Sequence, residues 1–184
     1  MQTQTFTTIN RPLSSGTYAF GINNAGTIAG TFFHVAQHGQ NSKWIGFELI
    51  GSQYHNISPP NAQSTFVVGV SASDKAVGFS TFASSFSNFF YYRGRYKDLP
   101  LPVEATLNGI NPAGNAVVGY YTPSPGVTAG FLYQNNIVTT LQFPGSTYTQ
   151  AFGINASGEV VGLFDDANTQ HGFTWTPPGD AAKK

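Results

Sequence analysis

The chain has 184 residues, eight basic and eight acidic, with a formal net charge of +0, no cysteine and 15% aromatic residues. Such a length suits one domain, spanning 1–184, that buries roughly 70% of its unfolded surface. Balanced charge removes the basic face that nucleic acid or an anionic membrane requires, the absent thiols exclude disulfides, thiolate zinc and a cysteine nucleophile, and no apolar run approaches the roughly 18 residues of a membrane span.

The opening residues Met1-Gln-Thr-Gln-Thr-Phe6 carry neither the basic nor the apolar stretch of an export signal. Thr5-Phe-Thr-Thr-Ile-Asn-Arg-Pro12 then reads as a strand with no neighbour in its own region. Beyond it, runs rich in Phe, Tyr, Val, Ile and Thr are broken every 8 to 12 residues or so by Gly, Pro, Asn or Ser, which predicts strands and no sustained amphipathic helix.

These runs repeat. Phe20-Gly-Ile-Asn-Asn-Ala-Gly-Thr-Ile-Ala-Gly30 returns as Val68-Gly-Val-Ser-Ala-Ser-Asp-Lys-Ala-Val-Gly78, as Asn108-Gly-Ile-Asn-Pro-Ala-Gly-Asn-Ala-Val-Val-Gly119 and as Phe152-Gly-Ile-Asn-Ala-Ser-Gly-Glu-Val-Val-Gly162. Gly21, Gly69, Gly109 and Gly153 fall 48, 40 and 44 residues apart, close to the roughly 40–50 residues of a four-stranded propeller blade. The units run approximately 17–64, 65–104, 105–147 and 148–178. In each, the first predicted strand (17–23, 65–71, 106–111, 149–155) meets the second (27–33, 75–80, 116–121, 159–164) through a tight turn. There an Asn or Ser can bond nearby backbone and a Gly supplies positive φ, with Asp74 in place of that Gly in the second unit. Third strands are predicted over 43–50, 88–93, 128–134 and 171–176, and fourth strands begin at Tyr54, Tyr96 and Ile137. The last unit runs from its third strand into Thr176-Pro-Pro-Gly, so the segment 4–12 is expected to supply its fourth. The fold expected is therefore all-β, a four-bladed propeller of four-stranded antiparallel blades closed by the N-terminal strand, which would remove free sheet edges.

Repeats of the form Gly-Ile-Asn-x-x-Gly-x-Val-Val-Gly followed by His-Gly-Phe resemble the bacterial HAF extracellular-repeat family. Unit four carries the likeness most fully, in Gly153–Gly162 and His171-Gly-Phe173, while the His position reads Ile45, Asn88 and Ala129 elsewhere. The resemblance implies a propeller-like repeat, commonly secreted, without an agreed activity.

Connections between second and third strands are the longest and emerge on one face with Arg11, His34, His38, Glu104, Asp165, Asp166 and His171; function usually sits on such loops. A non-enzymatic recognition module for a neutral small molecule or glycan is the leading expectation, with Trp44, Tyr121, His34, Arg11, Phe82 and Phe86 as ligand-binding candidates. Rings there could stack on a sugar while Ser, Asn and Gln supply neutral hydrogen bonds. One alternative is a small-molecule enzyme at the channel mouth, with His171 and Asp165 or Asp166 as acid and base; another is a protein-interaction scaffold. His34 with His38, and Asp165-Asp166 with Asn168, have metal-ligating atoms but read as solvated loops, so no metal site or cofactor is expected beyond an ion that the central channel could trap. The sequence is compatible with a monomer.

Overall fold

The computed structural model describes residues 5–36, 41–102, 104–167 and 169–178. They form four antiparallel sheets that follow one another around a common axis, a four-bladed β-propeller. Blade one holds β1 (Ser14–Ile22), β2 (Ile28–His34), β3 (Lys43–Ile50) and β4 (Gln53–Ile57); blade two holds β5 (Ser64–Val70), β6 (Ala76–Thr81), β7 (Phe86–Tyr92) and β8 (Arg95–Asp98). Blade three holds β9 (Thr106–Ile110), β10 (Ala116–Ser124), β11 (Val127–Gln134) and β12 (Ile137–Leu141), and blade four β13 (Thr149–Ile154), β14 (Val160–Asp165) and β15 (Gln170–Trp175).

The repeated turn works as its residue types require. Asn23, Asn111 and Asn155 each accept a backbone N–H four residues ahead through Oδ1, and Ser71 does so through Oγ. Gly26, Gly114 and Gly158 hold φ of 82°, 71° and 86°, a region that strains most side chains. Asp74 adopts φ 57° at the equivalent point. Its carboxylate accepts from Asn23 Nδ2 and Thr27 Oγ1 of blade one, both at 2.8 Å, so an inter-blade bond offsets the backbone cost. In every unit the inner strand also bulges, at Phe20, Val68, Asn108 or Phe152, just before the repeated glycine. A Cβ on Gly21 would stand 3.0 Å from Gly69 Cα, and one on Gly109 would stand 2.9 Å from Phe152 O, so the inner strands converge too closely for a side chain.

Three inner strands pack on the preceding blade: β5 on β2 and β3, β9 on β5 and β6, β13 on β10 and β11. Three buried apolar clusters result, one at each of these junctions. The third strands contribute Phe47, Phe89 and Phe131, all essentially buried, each at the register opposite a glycine of the second strand. That register corrects the expected correspondence in unit two. Phe89 pairs with Gly78 as Phe173 pairs with Gly162, so the counterpart of His171 is Ser87, not Asn88.

Closure by the leading strand is not formed among the described residues. Residues 5–13 form no strand, and blade four has three strands there. Arg11 instead holds the segment to blade one. Its N–H donates to Thr17 Oγ1 at 3.1 Å, and its guanidinium lies 5.4 Å and 5.2 Å from the ring centres of Phe32 and Tyr54, a cation–π arrangement that favours staying there. The junction between blades four and one carries no buried cluster among the described residues.

Candidate functional site

The mouth where second-to-third strand connections emerge is chemically uneven. Trp44, the second residue of β3, packs edge-on or tilted against Phe33 at 5.1 Å, Tyr18 at 5.5 Å and Phe66 at 5.7 Å between ring centres. Phe66 stacks on Phe79 at 4.9 Å and 18°, and Phe79 on Phe86 at 5.2 Å and 27°. A continuous track of rings therefore crosses from blade one to blade two, with Tyr18 and Phe86 exposed and the rings between them half-buried. Trp44 and Phe86 occupy the same register in their blades, where blades three and four have Thr128 and Gln170. The track is thus a departure from the repeat and occurs once among the described residues.

Beyond Phe86 lies a groove of about 580 Å³ lined by Ser84, Ser85, Ser87, Asn88, Leu101 and Glu104, among others. Asn88 is buried; its Nδ2 donates to Ala105 O at 3.1 Å, whereas its Oδ1 has no hydrogen-bond partner among the described residues. Apolar ring faces beside hydroxyl and amide groups suit an uncharged polyol better than an ion.

The second cluster is on blade four. His171 Nε2 lies 2.8 Å from Asp166 Oδ2, and both side chains are largely exposed. Asp166 Oδ1 accepts the Thr169 N–H at 2.9 Å, which fixes the carboxylate at the start of the turn. The imidazole leans on Phe164 at 5.2 Å, and Phe164 stacks on Phe143 at 3.5 Å and 4°. These residues line an open groove of about 620 Å³. Asp165, offered by the sequence as the other partner of His171, does not meet it: it ends β14, its N–H donates to Tyr148 O, and its Oδ1 is buried without a partner among the described residues.

The remaining candidates scatter. Arg11 lies over Phe32 and Tyr54 of blade one, away from the blade-four groove. Tyr121 is half-buried on blade three, packed edge-on against Phe131 at 6.4 Å, and shares a 2.8 Å hydrogen bond with Thr140. His34 ends β2 opposite Ser14 and Lys43, and Phe82 sits in the four-residue link before β7. The long connection expected over Thr122–Val127 is instead a tight hairpin, because β10 continues to Ser124 and β11 starts at Val127. His38 and Asn168 lie outside the described residues. Among the described residues no three His, Asp or Glu side chains come together, and no helix is long and apolar enough to cross a membrane.

Sequence reasoning missed Tyr18, Phe66 and Phe79 as site rings, since all three sit within strands of the repeat. It also missed a cleft of about 370 Å³ on the opposite face, where Lys75, Arg95 and Lys97 gather with Tyr96 and Tyr133. Arg95 and Lys97 lie together on β8, and Lys75 joins them from the turn before β6, a meeting that only the fold brings about.

No protein-family model matches the chain, and no curated protein does. Among solved structures, the crystal structure of TolB from Acinetobacter baumannii is similar over 88% of this chain with a TM-score of 0.59 at 14% identity. The likeness shows a β-propeller fold. The chain corresponds to only 41% of the length of that TolB chain.

Proposed function

We propose that this chain, read as a HAF-type repeat protein, is a non-enzymatic recognition module for a neutral carbohydrate. The observation that supports it most is the single ring track Tyr18–Trp44–Phe66–Phe79–Phe86 opening onto the hydroxyl- and amide-lined groove at Ser84–Asn88. Sugar C–H faces stack on such rings, and sugar hydroxyls can pair with the hydroxyl groups of Ser84, Ser85 and Ser87 that line the groove. Formal neutrality of the chain agrees with an uncharged ligand. Because blades three and four lack the two flanking rings, one oligosaccharide per chain is expected rather than four.

A glycan array followed by calorimetry tests this. A neutral oligosaccharide should bind with a stoichiometry of one, and Trp44→Ala or Phe86→Ala should each weaken it by roughly tenfold, the loss of one stacked ring. No binding of any neutral sugar at millimolar concentration would remove the carbohydrate reading. The His171–Asp166 pair favours a second reading, an acid–base enzyme at the blade-four groove. Turnover of any compound in a metabolite panel that is abolished by both His171→Ala and Asp166→Asn, with sugar binding absent, would establish it instead.

A further inference from the structure

The unfilled junction has two faces, and each carries residues that are buried at every other junction. Ala19 of β1 is exposed, whereas its counterparts Val67, Leu107 and Ala151 are 0%, 2% and 0% exposed. Ile22 is 69% exposed, whereas Val70 is 8% exposed and Ile110 and Ile154 are half-buried. On blade four, Val161 is 49% exposed, whereas Ala29, Val77 and Val118 at the same register are all at 0%. The glycines of the third strands agree. A Cβ on Gly46 would meet Val67 Cγ2 at 2.5 Å and one on Gly130 would meet Ala151 N at 3.2 Å, but one on Gly172 would meet only Gly162 O of its own blade, at 3.8 Å. Together Ile9, Ala19, Phe20, Ile22 and Ile28 line an apolar groove of about 280 Å³ on the blade-one side.

The leading segment joins β1 as an outer strand joins the blade that follows it, although residues 5–13 form no strand themselves. Arg11 N–H donates to Thr17 Oγ1 as Phe143 N–H donates to Thr149 Oγ1, both at 3.1 Å and both six residues upstream of the acceptor. By that correspondence residues 5–9 match β12, and Ile9 matches Leu141. Phe6 takes the place of Tyr54 and Tyr96, whose rings cover Phe47 at 5.2 Å and Phe89 at 5.5 Å. Phe6 is 90% exposed, while Phe173, the equivalent of Phe47 and Phe89, lacks such a cover and is part-exposed.

We propose that two copies of this chain join head to tail through this junction, β1 of one copy packing on the β14–β15 face of the other, with residues 5–9 of the incoming copy adding the outer strand beside β15. A second copy is the occupant because the two faces are the two halves of an interface that the chain builds three times within itself. Any copy therefore presents the surface that its neighbour lacks. Strand addition to the open edge of β15 pairs its backbone groups, and a heterologous contact of this kind closes into a ring or propagates.

The chain has no cysteine, which makes cross-linking clean. Ala19→Cys and Gly172→Cys replace exposed residues. When the two single variants are mixed and oxidised, a disulfide between copies is expected, since the equivalent positions at the filled junctions are in contact. Light scattering on the unmodified chain should show a concentration-dependent dimer or larger closed oligomer, and Ile22→Glu or Phe6→Ser, both at exposed sites, should return it to monomer with an unchanged circular dichroism spectrum. An intrachain link in a monomeric Ala19→Cys/Gly172→Cys double variant would overturn the proposal in favour of closure within one chain. A monomer at millimolar concentration with no cross-link would overturn it as well, as would a different polypeptide that cross-links to the Gly172→Cys variant in preference to a second copy.

Discussion

Replacing Glu48 by Gln should change stability in a pH-dependent way that the blade-one to blade-two junction dictates. Glu48 lies on β3, is 5% exposed, and has an Oε1 without a hydrogen-bond partner among the described residues. Burial, reinforced by the Asp74 carboxylate of blade two, pushes its pKa from 4.5 up to about 7. The protonated form is thus favoured by folding. Below about pH 4.5 the group is neutral in both states and costs nothing through ionisation. As pH rises the unfolded chain ionises first, and the penalty grows until about pH 7, above which it is constant. Each unit of difference is about 1.4 kcal/mol, so the penalty reaches about 3 kcal/mol as an upper value.

Glu48→Gln keeps the shape and removes the charge. Unfolding free energies of the two proteins should be nearly equal at pH 4.5 and diverge to a plateau above pH 7, where the variant is the more stable by up to about 3 kcal/mol, or roughly 5–10 °C in Tm. Denaturant titrations every half pH unit measure the difference curve, in which groups common to both proteins cancel. His55 is the cross-strand neighbour of Glu48 on β4, so the pair should be repeated on a His55→Gln background. A difference that does not vary with pH would refute the reasoning, as would one that grows toward acid.

Asp74→Gly should relieve the positive φ but lose both 2.8 Å bonds to blade one, for a net destabilisation of about 1 kcal/mol, and it should lower the midpoint of the Glu48 difference curve; both are read from the same titrations. Gly46→Ala would drive a methyl to 2.5 Å from Val67 Cγ2, and chemical denaturation should show a loss of about 1–3 kcal/mol. His171→Ala should change stability by less than about 1 kcal/mol because the pair with Asp166 is exposed; a larger loss by thermal melting would mean that the imidazole braces blade four.

What the sequence made legible was the part that every copy must repeat. Gly21, Gly69, Gly109 and Gly153 show because inner strands meet backbone to backbone there, and the Asn turns show because they satisfy their own N–H groups. The unit-two register was harder, since Phe89-Phe90 offers two rings to align with one, and only the pairing of Phe89 with Gly78 decides between them. Two of the five rings of the track were legible, Trp44 and Phe86, because they break the pattern. Phe66 and Phe79 were not, since an aromatic in a strand reads as core until its neighbours are known. The likeness of residues 5–9 to an outer strand was readable, but not its partner: the pattern records which face a strand fits, and the same face is offered by a blade of its own chain or of another.

That distinction bears on function as well as assembly. Positions buried against the next blade are constrained to be alike, whereas Ile45, Ser87, Ala129 and His171 share one register and differ in every blade. The same is true of Trp44, Phe86, Thr128 and Gln170. At this mouth the divergence gives one apolar half, on blades one and two, and one polar half, on blade four. A multivalent binder would need four similar mouths, so the division argues for a single ligand lying on the rings of the first two blades. Head-to-tail pairing through β1 and β15 would leave Trp44 and Phe86 uncovered, because both lie on third strands that face the junction between blades one and two and the groove beyond it. Sugar affinity per chain should therefore be the same in Ile22→Glu, which removes the pairing, as in the unmodified chain.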